Sequence, residues 1–207
     1  MSEVKPDSAE TAALLEQIAR GDRQALESLL ARHRDHLHSF VEFHLDPRVR
    51  ARLDPSDLVQ DTQLEVVQRM DDFLRRRPMP FHLWVRKTAY ERLMRVRRDH
   101  LHRACRSVER EVAWPERSSL LLARPLIDAR PSPSRILQAR ELAERVSCAV
   151  AELSERDREI LLLREADDLS YAEIASLLEI DPATARKRYG RALIRLQQIL
   201  TDHGLVE

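Results

Sequence analysis

Apolar positions along the chain recur at three- and four-residue spacing, the period of one face of a helix. Leu14, Leu15 and Ile18 mark one such stripe over residues 9–20. Leu26, Leu29, Leu30, Leu37, Phe40 and Val41 mark a second over residues 22–45, with Gly21 between them as a stop. Asp54 followed by Pro55 supplies an N-cap and a proline at the first helical position, which predicts a helix over residues 54–73. Pro78 and Pro80 break the chain before another long helix, from Phe81 to Arg98 or further.

The texture then changes. Across residues 113–133, Pro115, Pro125, Pro131 and Pro133 stand among scattered apolar and basic residues, the pattern of a partly extended linker. Four more helices are predicted after it: residues 134–153; 155–166 behind Ser154; 171–178 behind a capping box, Ser170 with Glu173; and 182–201 behind Asp181-Pro182. The expected fold is all-α, with two small helical domains, residues 1–100 and 135–207, joined by a Pro-containing linker over 101–134.

Composition narrows this further. Three glycines in 207 residues leave no room for Gly-rich phosphate loops or dinucleotide fingerprints. Two cysteines, Cys105 and Cys148, make neither a disulfide framework nor a thiolate zinc site. No apolar run is long enough to span a membrane, and the first ten residues, MSEVKPDSAE, lack the apolar core of a signal peptide. A cytoplasmic protein without membrane insertion is expected.

Formal charge is zero, 35 basic against 35 acidic side chains, but the signs are segregated. Asp54, Asp57, Asp61, Glu65, Asp71 and Asp72 face a single base, Arg69, across residues 54–72. Residues 75–110 reverse this with twelve Arg or Lys against three acids. Residues 141–181 carry twelve acids against four arginines, and residues 182–191 then hold Arg186, Lys187, Arg188 and Arg191 with no acid. Such blocks suit separate surfaces for a polyanion and for a protein partner.

Residues 170–192, SYAEIASLLEIDPATARKRYGRA, have the anatomy of a helix-turn-helix. Ile174, Ala175 and Leu178 are expected inward, the small Ala175 admitting the second helix closely, with Ile180 as a plug in the turn. The second helix brings Thr184, Arg186, Lys187 and Arg191 into its first three turns, where this motif meets the major groove. Its N-terminal amides, with Thr184, offer a place for a phosphate. A generic helical hairpin with solvated arginines is the competing reading. Glu179 where the turn usually has Gly, and Ala185 where a buried Val or Ile is usual, speak for it; four uncompensated bases on one short helix speak for DNA.

On the helix after Pro80, about 100° per residue places Val85, Ala89, Leu93 and Val96 on one core stripe. Trp84, Lys87, Glu91, Arg95 and Arg98 fall on the opposite side. Two readings of Trp84 stand: stacking on nucleobases beside a phosphate-binding rail, or packing beneath the Arg75–Pro80 loop. The 54–73 helix sets Asp57, Gln60 and Asp61 beside apolar Leu58, Val59, Leu64, Val66 and Val67, a face either solvated or paired with an Arg-rich partner. His33, His36, His38 and His44 do not put three ligands on one helical face with a carboxylate, so no metal is expected. No nucleophile–base or paired-carboxylate arrangement stands out either, so neither catalytic residues nor a cofactor are expected.

Together these segments resemble the small two-domain, extracytoplasmic-function group of bacterial RNA polymerase sigma factors. Asp54-Pro-Ser-Asp-Leu-Val-Gln-Asp61 resembles region 2.2, which grips the β′ clamp, and the resemblance implies core-polymerase contacts at Asp57, Gln60, Asp61 and Leu64. Phe81-His-Leu-Trp-Val-Arg-Lys-Thr-Ala-Tyr90 resembles regions 2.3 and 2.4, implying −10 contacts by Trp84, Lys87, Glu91, Arg95 and Arg98, with Trp84 at the wedge position. Leu153–Arg164 resembles region 4.1, and the helix-turn-helix resembles region 4.2, which touches the β flap and reads the −35 element through Thr184, Arg186, Lys187 and Arg191. Two positions depart from the family pattern. Glu91 stands where many members carry a base-contacting Asn, and Gly190 where a larger residue is common.

The reading is a non-catalytic specificity subunit partnered by core RNA polymerase and promoter DNA, with a sequestering anti-sigma protein expected from the family. A stand-alone helix-turn-helix regulator with an N-terminal sensory domain is the alternative, and an enzyme the third.

Overall fold

A computed structural model describes residues 4–45, 47–50, 52–104, 145–146 and 148–205. Its contacts divide the chain into two compact units, Glu3–Val108 and a second within Glu109–Glu207. Every regular element among the described residues is helical. The tract 113–133, with its four prolines, lies outside the described residues, as does most of the helix expected over 134–153; residues 145–146 and 148–152 of the latter are helical.

In the first unit α1 (Ala9–Ala19) and α2 (Arg23–His44) match the predicted pair to within a residue. Their caps explain why. Ser8 Oγ accepts the Thr11 N–H, the Asp22 carboxylate accepts the Gln24 and Ala25 N–H groups, and Gly21 takes a φ of 91° at the corner. A four-residue helix, α3 (Pro47–Arg50), has no counterpart in the sequence reading.

The single helix expected over 54–73 is two: α4 (Pro55–Gln68) and α5 (Met70–Arg76). Arg69, at φ −100° and ψ 3°, ends one and starts the other. Met70 and Phe73, four and seven residues past Val66, continue its buried stripe across the break. Left-handed Arg77 ends α5 before Pro78.

Helix α6 (Phe81–Ala104) packs on α2 and α4. The core of this unit holds Leu29, Leu37, Phe40, Val41, Leu58, Val59, Val66, Phe73, Phe81, Leu83, Val85, Ala89 and Leu93. Val96, expected on the same stripe, is half-buried.

The second unit contains α7 (Glu155–Glu165), α8 (Tyr171–Leu178) and α9 (Pro182–Asp202). Ile160, Leu161, Leu162 and Leu163 are all buried in succession, so α7 is a central helix covered all round. Helices α7 and α8 both pack on α9, which buries Ala185, Ala192, Leu196 and Leu200. No described helix is long and apolar enough to cross a membrane.

Candidate nucleic-acid and polymerase interfaces

The helix-turn-helix is built by caps. Ser170 Oγ accepts the Glu173 N–H at 3.3 Å and the Glu173 carboxylate accepts the Ser170 N–H at 2.8 Å, closing both halves of the capping box that opens α8. Ile174, Ala175 and Leu177 fill its inner face. Leu178 and Ile180, expected inward, are only half-buried. Positions 177 and 178 lie three and four residues past Ile174, so both fall on its stripe, and tertiary packing selects Leu177.

Glu179 turns the corner at φ 55°, in the left-handed region. That accounts for the Gly usual at this position, and the Glu carries a backbone cost on the order of 1 kcal/mol. Ala185 sits at the buried second-helix position, where its small side chain brings α9 close.

Asp181 caps α9. Its carboxylate accepts both the Thr184 N–H, at 2.9 Å, and the Thr184 hydroxyl. These two bonds, the hydroxyl's foremost, hold its pKa below the ordinary carboxylate value. A fixed negative charge therefore occupies the helix N-terminus, and the expectation that Thr184 and the free amides hold a phosphate is corrected: the anion there is the chain's own.

Arg186, Lys187 and Arg191 are exposed. Gly190 lies in mid-helix with open space around it; a Cβ there meets nothing within 4 Å. Behind the basic face, Tyr171 lies beneath two guanidinium groups, Arg164 at 5.3 Å and Arg186 at 5.4 Å from its ring centroid. Tyr189 stands edge-on to Tyr171 at 5.8 Å and donates its hydroxyl to Glu165 at 2.6 Å. Burial, then Glu165, pushes the Tyr189 pKa up, so it stays a donor. At the base of the motif, Arg195 donates to the buried Asp157, which Ser154 also caps. Burial raises the Asp157 pKa, but the Ser154 and Arg195 hydrogen bonds outweigh it and keep the carboxylate ionised.

In the first unit, α4 exposes Asp57, Gln60 and Asp61. Beside them stand two bare apolar side chains, Leu64, 57% exposed, and Val67, 39% exposed. Asp61 is not free: Arg92 of α6 donates to it at 2.5 Å and also lies 3.7 Å from Glu65. Arg69 bridges Glu65 at 3.1 Å and Glu91 at 3.6 Å. Glu91 is thus a partner of a base, while Arg95 and Arg98 are exposed and Lys87 is half-buried.

Trp84 departs most from expectation. Only 6% exposed, it stacks on Phe73 at 4.4 Å and lies 5.9 Å from Phe81, with the Arg69 guanidinium over its ring. Its placement off the core stripe is corrected. The broken helix brings α5, not the Arg75–Pro80 loop, over this side of α6, so the ring is covered there.

Residues 4–8 also matter, which the sequence did not signal. The Asp7 carboxylate caps α6, accepting the Phe81 and His82 N–H groups at 2.7 and 3.2 Å and contacting His82 Nδ1 at 3.1 Å. Burial raises the Asp7 pKa, but these bonds outweigh it and lower it overall. His33 lies edge-on to Phe81 at 5.2 Å, and burial pushes its pKa down to about 4. No group of three metal-ligating side chains forms among the described residues.

Known proteins share this arrangement. The family Sigma-70, region 4 matches residues 143–196, which contain the whole helix-turn-helix. Over 180 residues, 86% of this chain and 88% of theirs, it is 26% identical to the ECF RNA polymerase sigma-E factors of Salmonella typhimurium and Escherichia coli K12. These matches support an extracytoplasmic-function sigma factor. Its function is to direct RNA polymerase to promoters for transcription initiation. The RNA polymerase sigma-H factor of Pseudomonas aeruginosa is likewise 26% identical to this sigma factor over 86% of its length. The fold agrees with the structure of CnrH in complex with the cytosolic domain of CnrY, at TM-score 0.58 and 24% identity, covering 93% of this chain and 98% of that one. Similarity across the N-terminal unit as well as the C-terminal one leaves the stand-alone regulator with a sensory domain unfavoured.

Proposed function

We propose that this sigma factor is a non-catalytic, cytoplasmic subunit organised as a −10 domain over residues 1–100, a linker over 101–134 and a −35 domain over 135–207. The observation that carries the −35 assignment is helix α9. Its inner face of Ala185, Ala192, Leu196 and Leu200 is fully committed to packing, while Arg186, Lys187 and Arg191 project outward with no acid on the same stretch. Arg186 and Lys187, one turn in, reach base edges of the −35 element; Arg191 meets a phosphate; Thr184 serves the cap. Exposed Leu193 and Ile194, farther along, suit an apolar contact with the β flap.

On the first unit, Asp57, Gln60, Asp61 and Leu64 meet the β′ clamp, an acidic face with a bare leucine at its edge. Arg95 and Arg98 supply the exposed bases of the −10 surface, Lys87 borders it, and Glu91 acts there through Arg69. Trp84 supports this surface from within, so any wedge role requires α5 to move away from its ring. A sequestering anti-sigma partner is proposed on the precedent of CnrH, solved with the cytosolic domain of CnrY.

The test is run-off transcription with purified core polymerase and this protein on a promoter library randomised over both elements. Initiation dependent on this protein, with selected −10 and −35 sequences, supports the reading. Promoter binding without core polymerase, and no stimulation of initiation by it, overturns it.

A further inference from the structure

The basic residue placed to read bases does not project alone: its guanidinium lies 5.4 Å from the centroid of the Tyr171 ring. A free arginine side chain carries rotamer entropy, much of which must be lost before it can donate two parallel hydrogen bonds to a base. A side chain already laid on an aromatic face has lost part of that freedom in advance.

The platform is itself well held. Tyr171 is the first residue of α8, directly after the Ser170–Glu173 capping box, so its backbone is fixed at the start of the motif. The Tyr189 ring braces it from α9 at 5.8 Å, and Glu165 anchors the Tyr189 hydroxyl. Arg164, the other guanidinium over the ring, is tied by its Nη1 to the Leu169 carbonyl at 2.7 Å. Tyr171 is therefore a rigid surface reached from three helices, and the one member of the set that points toward DNA from α9 is Arg186.

We propose that Tyr171 is a positioning residue for −35 recognition: its ring preorganises the Arg186 guanidinium and thereby sharpens the base preference that Arg186 confers. This rests on the reading of α9 as the −35 reader, and the experiment separates the two. Tyr171→Ala, Tyr171→Phe, Arg186→Ala and the Tyr171→Ala/Arg186→Ala double variant are compared by run-off transcription with core polymerase on a library randomised across the −35 element.

Arg186→Ala is expected to lose discrimination at one −35 position by on the order of tenfold. Tyr171→Ala is expected to lose about threefold at that same position. Tyr171→Phe retains the preference, because the ring face and not the hydroxyl carries the contact, and the double variant is no less selective than Arg186→Ala alone. If Tyr171→Ala lowers transcription evenly over all −35 sequences, or its effect persists undiminished without Arg186, Tyr171 is only a packing residue and the proposal is overturned. If Arg186→Ala leaves the preference intact, the assignment of Arg186 as a base reader fails, and the role of Tyr171 fails with it.

Discussion

Replacing Trp84 by Ala tests whether the aromatic expected at the −10 surface is a structural residue of the unbound protein. The indole is 6% exposed, stacked on Phe73 at 4.4 Å and near Phe81 at 5.9 Å. Truncating such a side chain to Ala costs about 3–5 kcal/mol, a range that includes the cavity and the lost ring contacts. The Arg69 guanidinium over the ring adds little beyond that, because its side chain is 46% exposed. Small domains are stable by about 5–15 kcal/mol, so this one change removes about a fifth of the margin or more. For a domain of this size each 1 kcal/mol corresponds to about 4–8 °C, so the transition of the first unit should fall by at least about 12 °C. Calorimetry of the full chain resolves this if the two units melt separately, the C-terminal one serving as an internal control. Trp84→Phe, which keeps an aromatic face against Phe73, should recover more than half of the loss. A wild-type melting profile for Trp84→Ala would mean that the ring is not part of the core, and the reasoning from burial would fail.

Three further outcomes follow from the same geometry. Asp57→Arg, at an exposed position with no ion pair among the described residues, should weaken binding to core polymerase in a pull-down with little change in stability, whereas Asp61→Arg should also cost about 1 kcal/mol by confronting Arg92; wild-type core binding by both variants refutes the α4 assignment. On the −35 panel at two salt concentrations, Arg191→Ala should weaken all promoters alike and reduce the salt slope by about one, and a change in sequence preference instead would refute its assignment to phosphate. Stability of the first unit should fall as pH drops from about 6.5 toward about 4, because the unfolded chain protonates His33 over a range in which the folded chain does not, and protonation of Asp7 adds to the loss at lower pH; His33→Gln should flatten the upper part of that slope in urea titrations, and an unchanged slope refutes the cause.

What the sequence determined by itself was everything set by near neighbours. The caps Asp54, Ser154, Ser170 and Asp181 each act over two or three residues, so these helix starts and the helix-turn-helix were legible from spacing alone. The exposure of Arg186, Lys187 and Arg191 followed as well, because a basic stretch without acids has nowhere to be buried. Tertiary structure decided what depends on residues far apart along the chain. The break at Arg69 left no mark in the spacing, because Met70 and Phe73 keep the helical period of Val66, and Trp84 is covered because Phe73, eleven residues before it, stacks on its ring. Asp7 caps a helix 74 residues away, Arg92 reaches back 31 residues to Asp61, and Arg195 closes on Asp157 across 38. Periodicity carries no record of such pairs, since it reports which face of a helix is apolar and not which partner that face meets. Arg186 shows the division within one side chain: the sequence placed it outward, and only the packing of α8 against α9 set it on Tyr171.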